Sequence, residues 1–129
     1  IASIDDFKRI NSIIGYEGGN EALITISEGL KNFINKDEAL GRFFGDEFIF
    51  LIWEKDAETM EKRIESLWKN CCRMIRIKGY EFIIKVSIGV SLIPDKEREY
   101  SEVIHQATLA KLMAKKEINT IFIAQALTT

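Results

Sequence analysis

The chain has 129 residues, 47% of them hydrophobic and 29% charged, enough for one compact domain with its own core. Its formal net charge of -2 offers nothing to attract nucleic acid or a membrane surface, and no apolar run nears the ~20 residues that span a bilayer. Cys71 and Cys72 are neighbours that point about 100° apart on a helix, so they neither pair in an ordinary disulfide nor chelate a metal unaided. Reduced thiols in a cytoplasmic protein are expected, either free or as the cytoplasmic part of a larger, membrane-attached one. No signal-peptide pattern precedes the first strand.

Ile1 to Ile4 reads as the tail of a strand. Asp6 to Ile14 is a short helical stretch, ended by a glycine-rich break over Gly15 to Gly19. Asn20 is placed to cap a helix to about Ile34, with Leu23, Ile26, Leu30, Phe33 and Ile34 on one face. Two short apolar runs follow, Ala39 to Phe43 and Phe48 to Trp53, joined by turn chemistry at Gly45-Asp46, which predicts a hairpin. Asp56 caps a long helix in which Met60, Ile64, Leu67, Trp68, Cys71 and Ile75 recur at spacings of three and four. From Phe82 to Leu92 the period becomes two. Phe82, Ile84, Val86, Ile88, Val90 and Leu92 share one face, and Lys85, Ser87, Gly89 and Ser91 point to the other. Ser101 opens a helix to about Lys116 with Val103, Ile104, Ala107 and Ala114 inward, and Thr120 to Ala124 is a last strand. The order gives an α/β fold, a mixed sheet covered by helices. One domain over residues 1–129 is expected, with no internal linker or repeat.

The hairpin tip carries Asp46 and Glu47 side by side. Two carboxylates there offer an approach to a divalent cation or a polyphosphate. The alternative is a solvated turn kept polar by its acids.

Ile4-Asp5-Asp6-Phe7-Lys8-Arg9-Ile10-Asn11, then Gly15-Tyr16-Glu17-Gly18-Gly19-Asn20, the hairpin Phe44-Gly45-Asp46-Glu47-Phe48, Val86-Ser87-Ile88-Gly89-Val90, and the helix ending Ala114-Lys115 together resemble a GGDEF domain. The likeness covers nearly the whole chain, in order, apart from the helices that precede the family's first strand. It implies a fold related to nucleotidyl cyclase and polymerase palm domains, with the signature on a β-hairpin. It also implies the chemistry of a diguanylate cyclase, in which a dimer condenses two GTP into cyclic di-GMP. A 3′ hydroxyl attacking an α-phosphate needs divalent metal, Mg²⁺ or Mn²⁺, held by hard oxygen ligands.

Carried over residue by residue, the resemblance makes Asp46 and the Ile4 carbonyl metal ligands. It puts Ser3 where the family has a ligating Asp, a neutral hydroxyl that should lower metal affinity. Asp5 is on the same strand face and offers partial compensation, but at about 3.3 Å of rise per residue a direct substitution is not expected. Glu47 keeps the second catalytic acid. Phe44 stands in place of the first signature glycine, where its ring either fills space meant for ribose and phosphate or forces the tip into another shape; Gly45 is kept. Asn11 matches the guanine-binding amide, and Asn20 replaces the family's guanine-binding Asp. Phe7 and Lys8 hold positions near phosphate, although Phe7 equally suits the core. Lys115 matches a phosphate-binding lysine whose arginine partner is Asn119 here. The inhibitory R-x-x-D reads Asn35-Lys36-Asp37-Glu38, so no inhibitory product site is expected. His105 has no partner motif and reads as structural or exposed.

Two function classes follow. One is a degenerate module that binds GTP weakly, or dimerises and regulates an attached output domain such as an EAL phosphodiesterase. The other is an active diguanylate cyclase that tolerates its substitutions. An unrelated α/β binding module would require the ordered matches to be chance.

Overall fold

The computed structural model describes residues 1–72, 74–93, 99–117 and 120–124. Its elements are β1 (Ala2–Ile4), α1 (Phe7–Phe33), β2 (Ala39–Arg42), β3 (Glu47–Leu51), α2 (Ala57–Cys71), β4 (Met74–Ile77), β5 (Tyr80–Ile83), β6 (Val86–Ser91), α3 (Tyr100–Glu117) and β7 (Ile121–Ala124). Five strands form one sheet in the order β2-β3-β1-β6-β7, and β4-β5 form a separate ribbon. Only β6 and β7 run parallel in the main sheet, with α3 as their crossover. The mixed α/β architecture read from the sequence is the one observed.

The central strands are buried because both their faces are covered. Ala2, Ser3 and Ile4 of β1 and all of β6 up to Val90 lie in the interior. A strand buried on both faces tolerates no exposed polar side. Ser87 and Gly89, on the opposite face from Val86, Ile88 and Val90, therefore lie in the interior too. The core joins Ile4, Ile10, Ile14, Leu23, Ile26 and Leu30 with Phe48, Ile64, Leu67, Ile84, Val86 and Ile88. Asp56 caps α2 as expected, its Oδ1 accepting from the Thr59 amide at 2.7 Å.

Three boundaries differ from the sequence reading. Gly15 does break α1, at φ 75° and ψ 176°, but the helix resumes at once, so Asn20 is an exposed helical residue and not a cap. Helix α2 ends at Cys71. Ile75 continues its apolar spacing but belongs to β4, and Phe82 to Leu92 is two strands with Ile84 and Lys85 between them. The missed signal is Lys78-Gly79, both with positive φ (52° and 82°), a two-residue turn that pairs Ile77 with Tyr80. Positive φ at both central residues matches the twist of a tight hairpin, and glycine makes the second one strain-free.

Candidate functional site

The middle of the sheet places the site. In the strand ladders Ser3 lies opposite Glu47 on one side and opposite Ser87 on the other. Directly opposed residues share a face, so the three form a row across β3, β1 and β6. Ser3 is 0% and Glu47 only 9% exposed. The Ser87 hydroxyl donates to the Asp5 carboxylate, just past β1, its oxygen 2.8 Å from Oδ1 and 3.0 Å from Oδ2. The Ile4 amide donates to the Asp46 carbonyl at 3.1 Å, tying the turn to β1.

Two lysines of α3 complete the site. Lys111, 8% exposed, places its Nζ 2.7 Å from Glu47 Oε2. Lys115 places its Nζ 3.4 Å from both the Ile4 carbonyl and Asp5 Oδ1. A buried ammonium is tolerated only with a partner of opposite charge, and Glu47 is that partner. Among the described residues, three buried side-chain oxygens have no hydrogen-bond partner: Ser3 Oγ, Glu47 Oε1 and Asn11 Oδ1. Lys111 was missed in the sequence. The signal was there, since it lies four residues before Lys115, on the helix stripe that also holds Ala107, Ala110 and Ala114.

The signature turn is regular. Glu47 donates its amide to the Phe44 carbonyl at 2.7 Å, and Phe43 donates to the Glu47 carbonyl at 2.9 Å. Arg42 adds a bond to the Gly45 carbonyl. Neither Phe44 nor Gly45 has positive φ. Phe44 is 65% exposed, its ring centroid 4.5 Å from that of Phe43, so it neither enters the core nor distorts the backbone. Glu47 is the first residue of β3 and buried, not a tip acid; only Asp46 stays at the turn.

On α1, Phe7 is half-buried and packs against the core, while Lys8 and Asn20 are exposed. Asn11 lies against the bare Gly19: a Cβ there would come within 1.8 Å of Asn11 Oδ1. The near-glycine of the second motif thus sets the side-chain position of the first. His105 is exposed on α3, and Asn119 lies outside the described residues.

A divalent ion was the expectation for this site. The donor set fits one poorly: of the ligands the resemblance carries over, only Asp46 brings a charged oxygen. The Ile4 carbonyl already faces the Lys115 ammonium, and Glu47 faces that of Lys111. Ser3 contributes no charge. Unit charges roughly 4 Å apart repel by about 4 kcal/mol at an effective dielectric of about 20, and by about twice that when one is divalent. Among the described residues no group of three His, Cys, Asp or Glu side chains is placed to hold a metal.

Asn35 and Glu38 serve structure. Glu38 is gripped by the two terminal guanidinium nitrogens of Arg63, Nη1 and Nη2, and accepts from the Asn35 and Trp53 amides at 2.8 and 2.9 Å. The Arg63 guanidinium, aided by those amides and opposed by desolvation, lowers the Glu38 pKa from 4.5 to about 2. A depressed carboxylate stabilises the fold above its unfolded pKa and loses that contribution as pH falls towards the folded one. Acid melts are therefore expected to show the parent losing stability between about pH 4.5 and 2, while Glu38→Gln starts lower and is flatter across that window. Parallel curves for the two would show that the pair adds nothing.

The model of the family described as diguanylate cyclase, GGDEF domain, matches residues 1–120. The chain is 30% identical over 115 residues to the cyclic di-GMP phosphodiesterase NbdA of Pseudomonas aeruginosa, covering 87% of this chain and 14% of that protein. It is 28% identical over 114 residues to the bifunctional diguanylate cyclase/cyclic di-GMP phosphodiesterase MucR of the same organism, covering 88% of this chain and 17% of that protein. The chain thus spans well under a fifth of each. The fold is that of an EAL/GGDEF domain protein from M. capsulatus, with a TM-score of 0.83 at 22% identity over 96% of this chain and 81% of that one.

Proposed function

The chain belongs to the GGDEF family of diguanylate cyclase domains, and on that premise we propose that it is a catalytically impaired member that binds GTP and acts as a regulatory or dimerising module for an attached output domain. A phosphodiesterase domain of the EAL type is the favoured output, since the relatives NbdA and MucR carry phosphodiesterase names and are far longer than the part matched here. The observation that carries the reading is Glu47. Its carboxylate, buried opposite Ser3, is held by Lys111 and faces no second acid on β1. A carboxylate committed to an ammonium is a poor partner for a metal-activated hydroxyl.

Nucleotide binding draws on residues the catalytic defects leave alone. Asn11 has an acceptor oxygen that is buried and unpartnered, which suits an amide that reads a base edge. Lys115 supplies a point charge for phosphate. By calorimetry, Asn11→Ala is expected to weaken GTP by roughly 0.5–1.5 kcal/mol per lost hydrogen bond and to flatten the preference over ATP. Lys115→Ala should weaken both nucleotides alike and reduce the salt dependence, because screening acts on charge and not on base edges. Equal loss of GTP and ATP in Asn11→Ala would remove Asn11 from base recognition. No binding of GTP to the parent domain at millimolar concentration would leave only the docking role.

A further inference from the structure

We propose that Lys111 and Lys115 stand in for the divalent ion, so that this domain engages the phosphates of a nucleoside triphosphate without metal. The inference rests on the nucleotide-binding reading above and adds to it the cation that the site uses. Two oxygens that border the metal position on β1 and β3 are already faced by ammonium groups, which leaves Asp46 at the turn as the one carboxylate among the carried-over ligands. Lys111 Nζ lies 2.7 Å from Glu47 Oε2, and Lys115 Nζ lies 3.4 Å from the Ile4 carbonyl. The charges match the substitution. Ser3 removes one negative charge from the strand, and Lys111 adds one positive charge opposite it, so the acid row needs no further cation to be neutral. The two lysines are one helical turn apart on α3, which sets both ammonium groups along one edge of the row.

The remaining orphan atoms call for a hydrogen-bond donor. Glu47 Oε1 and Ser3 Oγ are buried, unpartnered and on opposed residues of neighbouring strands. A carboxylate oxygen only accepts, and a serine hydroxyl both donates and accepts, so a ligand hydroxyl or a water fits both. A divalent ion at the same place would meet Lys111 at close range. Lysine offers three donors and no acceptor, which suits phosphate oxygens and repels metal.

The test compares GTP binding with excess EDTA and with Mg²⁺, using the parent domain and calorimetry. Affinity in EDTA within about twofold of that in Mg²⁺ is the expected result, and a loss of about tenfold or more on chelation would overturn the proposal. A second arm needs no nucleotide. Free Mn²⁺ is counted by electron paramagnetic resonance as it is titrated into the parent domain, Ser3→Asp and Ser3→Asp/Lys111→Met. No Mn²⁺ site is expected in the parent or in Ser3→Asp, because Lys111 still neutralises Glu47. The double variant is expected to gain a site at least about tenfold tighter. Mn²⁺ bound by the parent, or by Ser3→Asp as tightly as by the double variant, would overturn the role of Lys111. Should GTP fail to bind in either buffer, the nucleotide reading falls, and the Mn²⁺ arm still decides whether the lysines exclude metal. Should the double variant fail to fold, Mn²⁺ bound by Ser3→Asp at any affinity overturns the role of Lys111, and none bound supports it.

Discussion

Supplied with GTP and Mg²⁺ or Mn²⁺, even at concentrations where it dimerises, the domain is expected to make cyclic di-GMP far more slowly than the roughly 1 per second of ordinary enzymes. Two separate losses drive the expectation. Ser3 withdraws a charged ligand from β1, and Lys111 holds the Glu47 carboxylate in a buried ion pair. If each removes only about 1.4 kcal/mol of transition-state stabilisation, each alone slows turnover about tenfold, and because Ser3 lies directly opposite Glu47 the two losses couple instead of simply multiplying. Exposed Phe44 adds a bulky ring beside the same turn. Chromatographic separation of product from GTP checks the rate directly. Turnover near 1 per second would mean that Glu47 and Asp46 suffice as they stand, and the active-cyclase reading would replace the impaired one. Ser3→Asp alone is expected to restore little, since Lys111 remains on Glu47.

Gly89→Ala is expected to be the most damaging single methyl addition in the fold. A Cβ at Gly89 would lie 2.0 Å from the Lys111 amide nitrogen and 2.5 Å from both the Ala107 carbonyl oxygen and the Lys111 Cα. All three are backbone atoms of α3, so no side chain can rotate away. The helix must lift from β6 instead. Overpacking of this kind costs about 1–3 kcal/mol and occasionally more, and the upper end applies because a whole helix has to move. Lifting α3 also draws Lys111 from Glu47 and Lys115 from the Ile4 carbonyl. Denaturant unfolding would measure it, with Gly29→Ala as the contrast. Gly29 is helical with open space at its Cβ position, and alanine there should stabilise by roughly 0.5–1 kcal/mol. An unchanged midpoint for Gly89→Ala would mean that α3 is loosely seated, and the geometry argued for both lysines would fall with it.

Much of the fold could be read along the chain because the signals are local. Asp56 ahead of Thr59, the glycine at residue 15, and the apolar spacing of Ile64, Leu67 and Cys71 each act within one or two turns of backbone. The errors came where two local signals overlapped. Ile75 fits the periodicity of α2, but the Lys78-Gly79 turn recruits it into a ribbon, and that turn is decided by two positive φ angles.

The sequence by itself determined the family, the order of elements, and the loss of charge at Ser3, because residue identity and spacing need no third dimension. Only the tertiary structure decided what Glu47 does. Glu47 and Lys111 are 64 positions apart, and nothing local joins them. Strand β1 places Glu47 opposite Ser3, and the seating of α3 against Gly89 delivers Lys111 to the same buried spot. Burial is the physical reason the pairing matters. In water the two charges would be solvated and nearly indifferent to each other, whereas in the interior each is tolerated mainly because the other is there.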